Sequence, residues 1–132
     1  MAEKKSPKDG YIFDFISGQE IKATPEEIDA VQPFSKRLFD EYEYDKELLQ
    51  TRPQYTVRKT PSDEVKTFPI DIGVFKSNGR TESELVGIIE CKKKTRKDGL
   101  EQLKLYMDMC SSVEWGVWFN GEEQINLRKV KK

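Results

Sequence analysis

Two acids and a lysine carry the first chemical signal in this chain. Asp71 interrupts the apolar run 68–75, Glu90 interrupts the run 85–91, and Lys92 follows Glu90 by two residues. Ser77-Asn78-Gly79-Arg80 lies between the runs, so they are predicted to be neighbouring strands of a hairpin with a long loop. Strand side chains alternate faces, which sets Glu90 and Lys92 on one face and Cys91 on the other. On the first strand Ile70, Ile72 and Val74 share one face. Asp71 shares the other with Gly73, whose missing side chain leaves room beside the carboxylate. If the polar faces coincide, two carboxylates and one ammonium meet on a small patch of sheet. A hard divalent cation such as magnesium takes such oxygen ligands and keeps several waters. It polarises a phosphoryl oxygen and lowers the pKa of a bound water. Lys92 would position or help deprotonate that water, or stabilise transition-state charge. The bland alternative is a pair of solvent-facing acids with a surface Glu–Lys pair worth little. Placing carboxylates in apolar runs has an energetic cost, which favours the functional reading.

The run from Lys92 to Lys97 holds five cations in six residues. A charge run is usually a solvated face. This one continues directly from Lys92, so Lys93, Lys94, Arg96 and Lys97 are expected to hold phosphates, with salt-dependent affinity.

The elements that must position these groups follow in order. Residues 1–10 read as a flexible leader, and 11–16 as a short strand or apolar arm ended by Ser17-Gly18. Thr24, Pro25 and Glu27 suit an N-cap, a first helical position and a capping box. Ile28, Val31, Phe34, Leu38, Phe39 and Tyr42 then recur at helical spacing, with Pro33 set to kink or split the helix. Residues 46–50 add a helical turn. Residues 53–58 read as an outer strand ended by Thr60-Pro61-Ser62-Asp63. After the two central strands, Asp98 is expected to cap a second helix whose buried stripe is Leu100, Leu103, Tyr106, Met107 and Cys110. Residues 115–119 form a fourth strand, and Asn120-Gly121 is a hairpin turn. Residues 124–128 form a fifth strand, with Ile125 and Leu127 inward. Core packing is preferred over base stacking for the aromatics of 115–119. The tail 130–132 is read as the start of a linker to a further domain. The class is therefore α/β: two helices around a mixed sheet of about five strands.

The chain has 132 residues, within the size of one domain. Charged residues make up 36% but the net charge is only −1, so the low hydrophobicity does not by itself signal disorder. It contains no histidine, which excludes histidine-based triads, zinc sites and nucleases. Cys91 and Cys110 lack CxxC spacing, so a thiolate zinc site is not expected. Two thiols and a polar N-terminus suggest a reducing cytoplasm. No run approaches membrane-spanning length.

Pro69-Ile70-Asp71 followed by Glu90-Cys91-Lys92 resembles the PD-(D/E)xK nuclease signature, and Gln102-Leu103-Lys104-Leu105-Tyr106 resembles the QxxxY element of one large branch. The chain is similar to the N-terminal domain of type I restriction enzyme R subunits and related restriction–modification proteins. The similarity runs over residues 11–129 and includes Thr24-Pro25-Glu26-Glu27 and the stretch 116–123. The pattern departs in Ile70, which separates the proline from the acid, and in the lack of a following helicase or translocase. The resemblance implies a restriction-endonuclease-like core and a DNA endonuclease within a restriction–modification system. Asp71, Glu90 and the Cys91 carbonyl would hold magnesium or manganese, with Lys92 catalytic. Gln102 would stand near the attacking water or the phosphate, and Glu27 matches an acid on the first helix that contributes to such sites. It implies DNA and associated motor, methylase or specificity subunits as partners. The alternatives are a catalytically weak or inactive DNA-binding module and a domain that docks on the other subunits. One short basic tract and no base-reading element lead to the expectation of slow, nonspecific cleavage by the domain alone.

Overall fold

Short apolar runs separated by turn formers build this fold, and a computed structural model describes residues 6–58 and 67–129. Tyr11–Phe13 (β1) and Glu20–Lys22 (β2) form an antiparallel ribbon. The first helix starts as its residues dictate: Thr24 Oγ1 accepts the Glu27 N–H at 3.2 Å, and Pro25 follows. It then widens into a π turn, Glu27–Val31, before continuing as α1, Gln32–Asp40. Pro33 supplies the reason. It has no N–H for the carbonyl of Asp29, and its ring would crowd that carbonyl in a regular helix.

A 3₁₀ turn, Lys46–Leu48, leads into the two-residue strand Leu49–Gln50 (β3). Thr56–Arg58 (β4) and Thr67–Pro69 (β5) form a second ribbon. Ile72–Phe75 (β6), Leu85–Cys91 (β7), Trp115–Phe119 (β8) and Gln124–Arg128 (β9) complete the sheet around them. The main sheet runs β3-β6-β7-β8-β9. Among the described residues, β7 and β8 are the one parallel pair of this sheet, and Leu100–Met109 (α2) crosses over between them. The class is mixed α/β with a five-stranded mixed sheet, as the patterning predicts.

Each sheet face is covered by one helix. Val31, Phe34 and Leu38 pack with Leu49, Ile72, Val74, Ile89, Cys91 and Phe119 on one face. Leu103, Tyr106 and Met107 pack with Ile70, Phe75, Leu85, Ile88 and Trp118 on the other. Both cysteines are free and buried, on opposite faces. Among the described residues, no helix is long and apolar enough to cross a membrane.

Several local expectations are corrected. The run 68–75 is two strands: β5 leaves to pair with β4, and Ile70 and Asp71 sit in the break. Ile70 therefore packs on the face opposite Ile72 and Val74. The space above Gly73 is filled by Phe75, Ile70 and Leu85 rather than left open for a carboxylate. The expected outer strand 53–58 is only β4, in a separate ribbon, and its proposed end at Thr60 to Asp63 lies outside the described residues. Residues 46–50 divide into the 3₁₀ turn and β3. The π turn shifts the helical phase, which leaves Ile28 54% exposed, and Tyr42 lies beyond the helix end, half-exposed. Phe39 is also exposed but meets the Phe15 ring edge-on. Gly99, not Asp98, caps α2, because Asp98 is drawn to Arg96. Ile125 is exposed on β9, an edge strand. Residues 1–5 of the expected leader and the whole expected tail, 130–132, lie outside the described residues.

Candidate active site

The break between β5 and β6 creates the site. β6 pairs with β7 as far as Ile72 opposite Ile89. Beyond that point the backbone diverges, and the Asp71 side chain continues the ladder: its Oδ2 accepts the Cys91 N–H at 2.7 Å. Glu90 follows Ile88 by two positions and shares its α2-side face. There it hydrogen-bonds Asp71. The two carboxyls that the sequence paired are therefore neighbours. Gln54 donates to the free Asp71 oxygen at 3.4 Å and to the Ile70 carbonyl at 3.3 Å.

Crowding two acids here leaves an electrostatic signature. Desolvation, then the Asp71 charge and hydrogen bond, push Glu90 up to about 9. Desolvation also raises Asp71, against the opposing pull of the Cys91 N–H. Glu26, on the first helical turn, is raised by desolvation and then by Asp71, with Lys92 pulling the other way. Tyr106 is raised by burial and then by Glu90 and Asp71, so the α2 tyrosine looks onto the same acids. Such like-charge crowding in a partly buried site is characteristic of functional carboxylates.

Lys92 lies one residue beyond β7, where its N–H donates to the Phe119 carbonyl at 3.0 Å. Its Nζ stands 3.9 Å from Glu90 Oε1, and its side chain is only 16% exposed. The stem of Lys92 runs across Gly99: a Cβ there would lie 2.6 Å from Lys92 Cε. Gly99 also has φ +103, which glycine tolerates best. The α2 cap thus leaves the passage through which Lys92 reaches the acids.

The expected site residues do not all converge. Glu27 is buried, but its carboxylate does not return to the helix start as a capping box would. Its Oε1 accepts from Gln32 Nε2 at 3.0 Å, and its Oε2 meets Arg52 Nη2 at 2.7 Å. Gln32 also donates to Asp14, which is buried and receives Thr51 and Ser17 as well. Burial opposes ionisation of Asp14, yet these hydrogen bonds together hold its pKa below the ordinary value. Gln102 is exposed on the first turn of α2 and makes no hydrogen bond among the described residues. In the cationic loop, Arg96 pairs with Asp98, and Lys97 Nζ lies 2.6 Å from Glu123 Oε1. Lys93 and Lys94 are exposed and form no ion pair among the described residues.

Glu26, Gln54 and Gly99 were not singled out by the sequence. Glu26 had one available signal, its place beside Glu27 in an acidic helix start. Both acids act on Asp71 in the folded chain, so the helix-start pattern alone did not separate them. Gln54 lies between a proline and a strand and has no signature.

The donor set suits a hard cation in part. Asp71 and Glu90 offer two neighbouring carboxylates whose mutual repulsion a divalent charge would relieve, and the Cys91 backbone adjoins Asp71. Among the described residues no group of three or more His, Cys, Asp or Glu side chains surrounds one point. The remaining ligands would be backbone and water oxygens, as magnesium commonly accepts.

A family model described as type I restriction enzyme R protein N terminus matches residues 25–132. Neither a curated protein nor a solved structure matches the chain.

Proposed function

Because the chain belongs to the family of type I restriction enzyme R protein N termini, we propose that it is the DNA-cleaving domain of a restriction–modification complex, a metal-dependent nuclease of the PD-(D/E)xK kind. The observation that carries this reading is the hydrogen-bonded pair Asp71–Glu90, with the Lys92 ammonium 3.9 Å from Glu90. Asp71 and Glu90, with the Cys91 carbonyl, would hold magnesium or manganese. The bound cation would supply charge to the scissile phosphate and acidity to a water. Lys92 holds a positive charge where negative charge grows on the phosphoryl oxygens, and it orients the attacking water. Gln54 and the Cys91 N–H fix the Asp71 carboxylate, so it needs no reorientation at the moment of reaction. Glu26 and Glu27 both add negative charge beside Asp71, and Glu27 also anchors the helix start through Gln32 and Arg52. Lys93 and Lys94 hold the phosphate backbone. Two free cations make a weak duplex grip, so motor, methylase or specificity subunits are the expected source of most DNA affinity.

The test is relaxation of supercoiled plasmid with magnesium or manganese, beside Asp71→Ala and Lys92→Ala. Each variant should lose about 100-fold or more in rate. Cleavage that needs no metal, or that survives both substitutions, would refute the nuclease reading. Salt-sensitive DNA retention without any cleavage would instead favour a binding module.

A further inference from the structure

The cationic loop after Lys92 is not a free tract. Lys92 is tied to the sheet by the Phe119 carbonyl. The next residue of that strand's chain, Asn120, is fully buried and uses both ends of its amide. Its Oδ1 accepts the N–H groups of Glu122 and Glu123 at 3.0 and 2.7 Å, which closes the hairpin turn. Its Nδ2 donates to the carbonyls of Arg96 and Lys94 at 3.0 and 3.4 Å, across to the loop. Trp118 Nε1 holds the Asp98 carbonyl at 2.8 Å, and Asp29 Oδ2 accepts the Lys94 N–H at 3.1 Å. The π turn is seated against the same hairpin, since a Cβ on Gly121 would come within 2.5 Å of the Asp29 carbonyl. The hairpin and the loop are thus pinned to one buried side chain, and the helix start meets them through Asp29. A turn needs only the acceptor end of such an asparagine. The donor end serves the loop alone.

We propose that Asn120 is a positioning residue for substrate: its amide fixes the loop so that Lys93 and Lys94 are presented, unpaired, to the phosphates flanking the bond that Lys92 attends. This rests on the nuclease reading above. Holding the backbone in advance removes the ordering cost that a mobile lysine loop would meet on binding. Among the described residues the Lys93 and Lys94 side chains form no ion pair, in contrast with Arg96 and Lys97.

Asn120→Asp separates the two ends of the amide. The carboxylate still accepts from Glu122 and Glu123, whose N–H groups favour its ionised form, but it cannot donate to the loop carbonyls. Asp29→Ala removes a further tether, from a different element. Two readouts are taken on the full chain. The first is the rate of trypsin cleavage after Lys93, Lys94 and Arg96, which needs no DNA. The second is duplex affinity against salt, with KM and kcat for cleavage. Both variants should be cut in the loop at least about tenfold faster, with sites elsewhere unchanged. Duplex affinity should fall about tenfold and the salt slope by about two, one for each displaced lysine. Turnover at saturating DNA should stay within about threefold, a KM-against-kcat split that plain loss of folded protein does not produce. Unchanged loop cleavage in Asn120→Asp would overturn the tether, whatever Asp29→Ala shows. A loosened loop with unchanged affinity and salt slope would overturn the substrate role. If Asn120→Asp does not fold, Asn120→Ser takes its place in both readouts, with the same expected and overturning results. If the wild-type chain neither retains nor cuts DNA, the nuclease reading and the substrate role fall together, and the trypsin rates still judge the tether.

Discussion

Replacing Glu90 with glutamine should stabilise the metal-free protein at neutral pH. Glu90 is raised from 4.5 to about 9 by desolvation, then by the charge and hydrogen bond of Asp71. A carboxyl whose pKa is higher in the folded state binds an extra proton on folding. Its contribution is therefore fully present below pH 4.5 and is lost as pH rises towards about 9. Each pH unit within that window is worth about 1.4 kcal/mol, so the fold gives up about 3 kcal/mol between pH 4.5 and 7. Asp71 is also raised, by burial first, so its proton acts in the same direction. Gln cannot ionise, and its N–H can donate to Asp71 as the protonated carboxyl does. Glu90→Gln and wild type should thus unfold alike near pH 4.5 and separate by about 3 kcal/mol at pH 7, with the variant more stable. The assay is urea unfolding in a chelator, at half-unit steps from pH 4.5 to 9, followed by the fluorescence of Trp115 and Trp118. Acids remote from Asp71 and Glu90 titrate alike in both proteins, so the difference between the two curves isolates this coupled pair. A difference that stays flat with pH, or favours the wild type as pH rises, would refute the reasoning. The same substitution should abolish cleavage, the common conflict between a crowded acidic site and stability.

Gly99→Ala should lose about 1–2 kcal/mol of stability from the left-handed backbone alone, and more in activity, because its Cβ would displace the Lys92 stem. Thermal unfolding beside plasmid cleavage checks this, and equal stability and activity losses would argue against a passage for Lys92. Arg52→Ala should cost about 2 kcal/mol, below the fully buried range because Arg52 is one-third exposed, since it leaves the Glu27 carboxylate buried without its cation. Denaturant melts report it, and a neutral result would mean that Gln32 suffices. Neutralising Lys93 and Lys94 should flatten the salt dependence of duplex binding by about two units. Neutralising Arg96 and Lys97 should change it less, since Asp98 and Glu123 already hold them, and a salt series of binding curves separates the pairs.

Much of this protein is legible in local pattern. The strand runs 85–91, 115–119 and 124–128 and the crossover helix after Gly99 follow from periodicity and turn formers, because those signals are local and the packed sheet agrees with them. The pairing of Asp71 with Glu90 and Lys92 could also be read, since each acid disrupts an apolar run in a way that local structure does not require. Local pattern could not show that the run 68–75 breaks at Asp71, because β5 is drawn away by β4, a partner set by long-range pairing. The same break lets the Asp71 carboxylate, rather than backbone, hold the Cys91 N–H. The π turn that carries Glu27 falls where Pro33 withholds its N–H and where the Gly121 hairpin meets the Asp29 carbonyl, a contact that only the folded chain makes. Whether a cation in the loop is free or spoken for depends on Asp98 and Glu123. Glu123 lies 26 residues from Lys97 in sequence, and only the folded chain brings them into contact. Residue type and spacing choose the chemistry because a side chain carries its own charge and reach. Which side chains meet is decided by the tertiary packing, where burial and distant partners set both direction and pKa.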